Sequence, residues 1–266
     1  MSPVYFISHG GPPIVEWIHH PAHESFCNLG REILALKPKG IVAVSAHFIG
    51  GKDEIHINNA ESTDLIYDFY GFPKHYYQKK FDHRGSESLA GEISNLLSAT
   101  NIKTRFVKRG LDHGIWIPFS IAFDPEQGRG LDVPIVELSL YASEDPLKHI
   151  SLGKALAPLR DAGYVIVTSG QTVHNLRDLD FADSKPLGYV KSFDKALESA
   201  LTTNTGDSRE AKMQELLERP DARGAHPTFD HILPVYVAIG AASKAQGKQI
   251  FNHYEKSIGW AHYRLD

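Results

Sequence analysis

Four short apolar runs rich in valine and isoleucine constrain the fold more than any other feature. They are "VYFIS" (4–8), "GIVAVSA" (40–46), "VPIVELS" (133–139) and "YVIVTS" (164–169). None alternates cleanly between apolar and polar residues. A near-continuous apolar run is how a strand reads when both of its faces are buried, as in a mainly parallel sheet covered by helices on either side. Helical patterns lie between the runs, over 24–36, 86–99 and 146–162, and further along over 187–203, 208–219 and 228–242. Ser86 is a good N-cap for the second, while "KPKG" and "DAG" end the first and third before a strand. Strand–helix–strand alternation predicts an α/β fold with a mainly parallel central sheet and right-handed crossovers. The 266 residues are 42% hydrophobic and 23% charged, enough for one domain, 1–266, with a sizeable core. No linker, repeat or low-complexity segment divides it. The aromatic stretch "DFYGFPKHYYQKKFDHRG" (68–85), broken by Gly and Pro, reads as a loop over the sheet edge.

Composition narrows the partners. The formal net charge is −4, with no basic excess to attract nucleic acid or an anionic membrane. A single cysteine, Cys27, rules out an intrachain disulfide and fits a reducing compartment. The start "MSPVYFISHGGPP" lacks a basic n-region, and no stretch approaches the roughly 18 to 20 apolar residues of a membrane span. A cytoplasmic protein acting on a small molecule is expected, with the oligomeric state open. Several common active-site motifs are missing. There is no G-x-S-x-G, so the "HGG" of residues 9–11 does not read as an esterase oxyanion loop. There is likewise no G-x-G-x-x-G, no P-loop and no H-E-x-x-H, and one cysteine cannot build a zinc ribbon. "HHPAH" (19–23), interrupted by Pro21, reads as a solvated loop.

The 15 histidines matter through their placement. His9 follows the first run, in "ISHGGPP"; His47 follows the second, in "VSAHF"; His174 follows the fourth, in "VTSGQTVHN". Ligands of open α/β sheets bind in the crevice beyond the carboxyl ends of the strands, so these three imidazoles are expected to converge. His113 in "GLDHGIWIP" and His231 in "HPTFDHILP" sit at loop-to-helix boundaries. Gly10 and Gly11 permit backbone angles closed to other residues, and Pro12 and Pro13 stiffen the exit, so the loop is suited to fix His9 at one angle. Each histidine alone has an ordinary account as a hydrogen-bonded core ring or a surface residue. Together they point to a metal site, because neutral imidazole is the commonest protein ligand for zinc and ferrous iron. More histidines than one coordination sphere needs would leave one or two as acid–base groups.

At these residues the sequence resembles a known family. "SHGGPP", "VSAHF", "GLDHGIW", "VHNLRDL" and "HPTFDHILP", in this order over nearly the whole chain, are similar to the 4,5-DOPA extradiol dioxygenase-like family. That family belongs to the class III extradiol ring-cleaving dioxygenases, related to the β subunit of protocatechuate 4,5-dioxygenase. "IYDFYGFP" resembles a further segment of it. The resemblance implies a mononuclear Fe(II) or Zn(II) centre held by His9, His47 and His231. It makes His174 a base or a further metal ligand and places His113 over the substrate. The protocatechuate branch has a glutamate as third ligand; the DOPA-like branch has histidine, a departure from the 2-His-1-carboxylate triad. The implied partners are a catechol and O2. Arg177, Tyr70 and Trp116 are candidate substrate-binding residues. A zinc hydrolase with a metal-activated water, or a metal-binding recognition module without activity, are the competing readings.

Overall fold

A computed structural model describes residues 1–180 and 182–266. Eleven strands carry the architecture: β1 (Val4–Ser8), β2 (Ile41–Ile49), β3 (Glu54–Asn58), β4 (Lys103–Val107), β5 (Ile135–Leu140), β6 (Val165–Gly170), β7 (Val173–His174), β8 (Gly247–Phe251), β9 (Tyr254–Glu255), β10 (Ile258–Gly259) and β11 (His262–Leu265). Eight of them form one sheet in the order β4-β3-β5-β2-β6-β1-β11-β8. Its centre is parallel: β2 pairs with β5 and β6, and β6 with β1. The four apolar runs of the sequence are these central strands, buried along almost their whole length as the absence of alternation requires. The flanks are where the sheet departs from parallel. β11 and β8 are antiparallel additions beyond β1, and β3 meets β5 antiparallel. A separate three-stranded antiparallel sheet, β7-β10-β9, lies outside the main one.

Nine helices accompany the sheet among the described residues: α1 (Pro21–Ala35), α2 (Glu87–Ala99), α3 (His113–Ala122), α4 (Pro146–Leu156), α5 (Pro158–Asp161), α6 (Gly188–Thr202), α7 (Gly206–Leu217), α8 (Ala222–Ala225) and α9 (Leu233–Ala241). Strand alternation splits the core in two. Val4, Phe6, Val42 and Val44 face a layer formed by α2, α4, α6, α7 and α9. Tyr5, Ile7, Ile41 and Ala43 face α1 and α3. Both sheet faces are therefore covered, as an α/β sheet demands.

Local chemistry sets the helix ends. Ser86 caps α2 by accepting from the Leu89 amide, and Asp112 and Asp145 cap α3 and α4 in the same manner. The expected helix over 146–162 is two helices, because Pro158 lacks the amide that would continue α4. The expected helix over 228–242 begins only at Leu233, leaving 227–232 as a turn that carries His231. "HHPAH" is not a solvated loop. His20 is the N-cap of α1, its Nδ1 accepting from the Ala22 amide, and Pro21 occupies the first helical position, where its missing amide costs nothing. The 68–85 stretch is irregular apart from a short 3₁₀ turn, as expected. It covers more than a sheet edge, since Phe69 and Tyr76 pack into the core on the α1–α3 side. No helix among the described residues is long and apolar enough to cross a membrane.

Candidate metal centre

The carboxyl ends of β1, β2 and β6 lie side by side, and the histidines are delivered there by different local devices. His9 is the residue after β1, its amide donating to the Gly170 carbonyl at the end of β6 at 3.0 Å. Gly10 then reverses the chain at φ +65°, where a β-carbon would strike the Trp260 ring. His47 lies inside β2 rather than after it, in the stretch where the β2–β5 register shifts between Val44 and Ile49. Such an irregularity re-aims a side chain. His113 opens α3; its amide donates to Asp68 Oδ1 at 3.0 Å. His231 sits in the turn before α9, and its carbonyl accepts from the Gln171 amide at 2.9 Å. Gly170 admits that close approach, because a β-carbon there would lie 2.1 Å from the His231 carbonyl oxygen.

His9, His47 and His231 each offer a ligand atom within 4.8 Å of the others. Their second ring nitrogens are engaged elsewhere. The Ser169 hydroxyl donates to the Gly114 carbonyl, so it accepts from His9 Nδ1 at 2.9 Å. His231 Nδ1 donates to the Asp230 carboxylate. His47 Nδ1 is 3.3 Å from Asp68 Oδ2. In His9 and His231, Nδ1 is the protonated nitrogen and Nε2 presents its lone pair to the centre, the arrangement that orients metal-ligating histidines, and the Asp68 carboxylate facing His47 Nδ1 favours the same tautomer there. His9 Nε2 and His47 Nε2 are 3.2 Å apart, close to the edge of about 3.3 Å for two nitrogens on one ion at ~2.0–2.1 Å. The residues present thus fit a single divalent metal. Burial, and then the neighbouring imidazoles, push the pKa of His9 and His47 well below the ordinary histidine value. Both rings are neutral near pH 7, as ligation requires. Asp68, His47 and His113 are a second close group, in which the Asp68 carboxylate lies 2.9 Å from His113 Nδ1 and 3.3 Å from His47 Nδ1 and accepts from the His113 backbone amide.

His174 stacks on His231, ring centroids 3.6 Å apart and planes within 10°. Among the described residues neither of its nitrogens has a hydrogen-bond partner. His113 packs edge-on to His9 at 5.5 Å and tilted against His47 at 4.0 Å. These five histidines open onto one cavity of about 400 Å³, walled mainly by apolar groups such as Ile14, Trp17, Phe72, Leu176 and Ile258. Tyr70 lies at its mouth, 88% exposed. Trp116 and Arg177 are not among its lining residues. Trp116 is fully buried in the core, its indole donating to the Ile66 carbonyl, and Arg177 is an exposed residue of the turn after β7. Asn175 caps that turn through the Arg177 amide and ties it to Asp178 and Gly224. Ser169, Asp68 and Asp230 were not singled out from sequence. Asp68 and Asp230 do fall within the quoted segments "IYDFYGFP" and "HPTFDHILP", whereas Ser169 carries no signal distinguishing it from any other strand serine.

Comparison with known proteins identifies the family. Residues 2–263 match the family described as the catalytic LigB subunit of aromatic ring-opening dioxygenase. A Beta vulgaris protein named 4,5-DOPA dioxygenase extradiol is 35% identical over 257 residues, 96% of this chain and 92% of that one. A Schizosaccharomyces pombe 4,5-DOPA dioxygenase extradiol-like protein is 37% identical, covering 82% and 72%. An Escherichia coli K12 4,5-DOPA dioxygenase extradiol is 32% identical, covering 90% and 84%. The solved structure of an uncharacterized Escherichia coli K12 protein superposes with a TM-score of 0.81 at 26% identity, over the whole of both chains. With a family match spanning almost every residue and relatives aligned nearly end to end, the chain belongs to the LigB family of aromatic ring-opening dioxygenases.

Proposed function

We propose that the chain opens the ring of a catechol with O2, extradiol fashion, using one divalent metal held by His9, His47 and His231. The observation that carries this reading is the convergence of ligand atoms from three histidines in an apolar cavity, with His9 and His231 hydrogen-bonded through Nδ1 and His47 Nδ1 facing the Asp68 carboxylate. Ferrous iron held there would supply open coordination positions and redox chemistry, whereas zinc would supply the positions alone.

The chain's own residues do the rest. The apolar walls exclude water and leave a slot for a flat ring beside the imidazoles. His174, with both nitrogens uncommitted and its ring braced flat against His231, is placed to take a phenolic proton as the catechol binds. His113 lines the same space, its backbone amide tied to Asp68, and is positioned to give a proton or hydrogen bond to oxygen as the ring opens. Both oxygen atoms end in the product, a yellow semialdehyde cleaved beside the hydroxyls.

The test joins elemental analysis of protein purified without chelator to oxygen uptake on a small catechol panel. Uptake that requires Fe(II), with a yellow product, is the expected result; zinc-loaded protein should be inert. Oxygen-independent hydrolysis by the zinc form would replace this reading with that of a hydrolase. Replacing His174 with Gln should lower turnover by about 10²–10⁴-fold with catechol still bound. Loss of the metal itself would make His174 a ligand and His113 the better base.

A further inference from the structure

The cavity has a second polar end. Apart from Asp68, which lies against two of the imidazoles, Glu255 is the one carboxylate lining it among the described residues, and no lysine or arginine among them does. The small sheet fixes where Glu255 stands. Ile258 is paired opposite His174 across β10 and β7, and opposite Glu255 across β10 and β9. Residues directly opposed in antiparallel strands share a face, so His174, Ile258 and Glu255 form one row along the cavity wall. Two strand spacings put Glu255 about 10 Å from His174, the span of an aromatic ring carrying a short arm.

The carboxylate is braced from behind. His20 Nε2 donates to Oε1 at 3.1 Å and Trp260 Nε1 donates to Oε2 at 2.8 Å. His20 Nδ1 accepts from the Ala22 amide, so the ring carries its hydrogen on Nε2. This excludes a second metal site built from His20, His253 and Glu255, although their ligand atoms lie close together. With Nδ1 accepting and Nε2 donating, His20 has no lone pair left to give. Each Glu255 oxygen keeps further acceptor capacity. The Glu255 side chain is 30% exposed against 9% for His20, so the open side of the pair belongs to the carboxylate. Burial works to raise its pKa, but the His20 and Trp260 hydrogen bonds outweigh this and hold it below the usual value.

We propose that Glu255 selects catechols whose ring substituent ends in an ammonium group and rejects those ending in a carboxylate. The inference rests on the catechol reading above and names the substrate class within it. An ammonium beside Glu255 gains a charge-assisted hydrogen bond in a largely apolar cavity. A carboxylate there meets a like charge, with no lysine or arginine among the described lining residues to compensate it.

Anaerobic calorimetry on metal-loaded protein with the aminoethyl, propyl and carboxyethyl catechols, matched in arm length, tests this. The aminoethyl form should bind roughly tenfold tighter than the propyl form, and the carboxyethyl form roughly tenfold weaker. In Glu255→Gln the aminoethyl form should lose its advantage while the propyl affinity stays put. Equal binding of all three by the unaltered protein, or a ladder unchanged in Glu255→Gln, overturns the proposal and leaves the catechol reading standing. Binding of none of the three overturns both. Should the variant not fold, the ladder measured on the unaltered protein still decides.

Discussion

His9 shows how much of the proposed metal site would depend on residues that do not themselves offer a ligand. Its tautomer is dictated by Ser169, whose hydroxyl spends its hydrogen on the Gly114 carbonyl and so must accept from His9 Nδ1. Replacing Ser169 with Ala removes that acceptor and, with it, the hydrogen bond to the buried Gly114 carbonyl. Metal affinity, measured by competition with a chromophoric chelator, should fall about 10–100-fold, and stability should fall by about 1–3 kcal/mol, the cost of one buried unpaired carbonyl, with the protein still folded. Asp230→Asn should act the same way through His231. Unchanged affinity in both variants would mean that the Nδ1 partners do not orient the ligands. At this scale the sequence was legible only in part. Histidines at strand ends announce themselves, because imidazole is costly to place there without a purpose. Their partners do not, since a buried strand serine is as often there to satisfy a neighbouring backbone group.

Between residues and fold, the loop that follows β1 turns on one glycine rather than two. Gly10 sits at φ +65°, and a β-carbon would lie 2.0 Å from the Trp260 ring. Gly11, at φ −100° and ψ 175°, has nothing nearer than 3.7 Å to a β-carbon and is in a conformation any residue can adopt. The expectation that both glycines are needed is corrected accordingly. Gly10→Val should displace Trp260, change the near-ultraviolet dichroism and weaken metal binding before it unfolds the protein, whereas Gly11→Ala should behave as the unaltered protein. Equal behaviour of the two variants would show that the close packing of Gly10 on Trp260 does not position His9. The same scale explains which elements the sequence hid. β4 (KTRFV) is an edge strand with no fully buried residue, so it lacks the apolar run that reveals the central strands. α3 (HGIWIPFSIA) is buried almost all round and carries Pro118 and three isoleucines. It therefore shows no 3.6-residue stripe and reads as readily as a strand. The two-residue strands that hold His174 and Glu255 in line are below the length at which pattern means anything.

For the molecule as a whole, buried neutral histidines outside the centre tie stability to pH. His149 donates from Nδ1 to the Asp145 carbonyl and accepts the Tyr141 amide on Nε2. His262 donates from Nε2 to the Ser8 carbonyl and accepts from the Ser25 hydroxyl. Neither ring can take a second proton without losing an acceptor. Burial dominates and lowers both pKa values to about 4, and that of His226 to about 3. The folded values lie below the unfolded value of ~6.5, so the unfolded chain binds protons first. The stability these rings contribute is complete above about pH 6.5 and drains away as pH falls toward 4, by up to about 3 kcal/mol for each of His149 and His262. Denaturant midpoints recorded from pH 7 to pH 4 should fall steadily. His149→Gln, less stable at pH 7, should show a shallower fall, and an equal slope would remove His149 from the account.

The placement of β1 in the sheet also orders events in time. β1 is formed by residues 4–8, yet it lies between β6 and β11, whose residues come more than 150 and 250 positions later. Its pairings are among the most non-local a chain of this length can make, and closing such loops is slow. Until residues 262–265 dock, one side of β1 is an open edge, and Trp260 is not yet stacked over Gly10 to settle the turn beside His9. Metal capture is therefore expected as a late step of folding, after the β2–β5–β6 core has formed. A refolding chain should show native secondary structure before it can retain an ion.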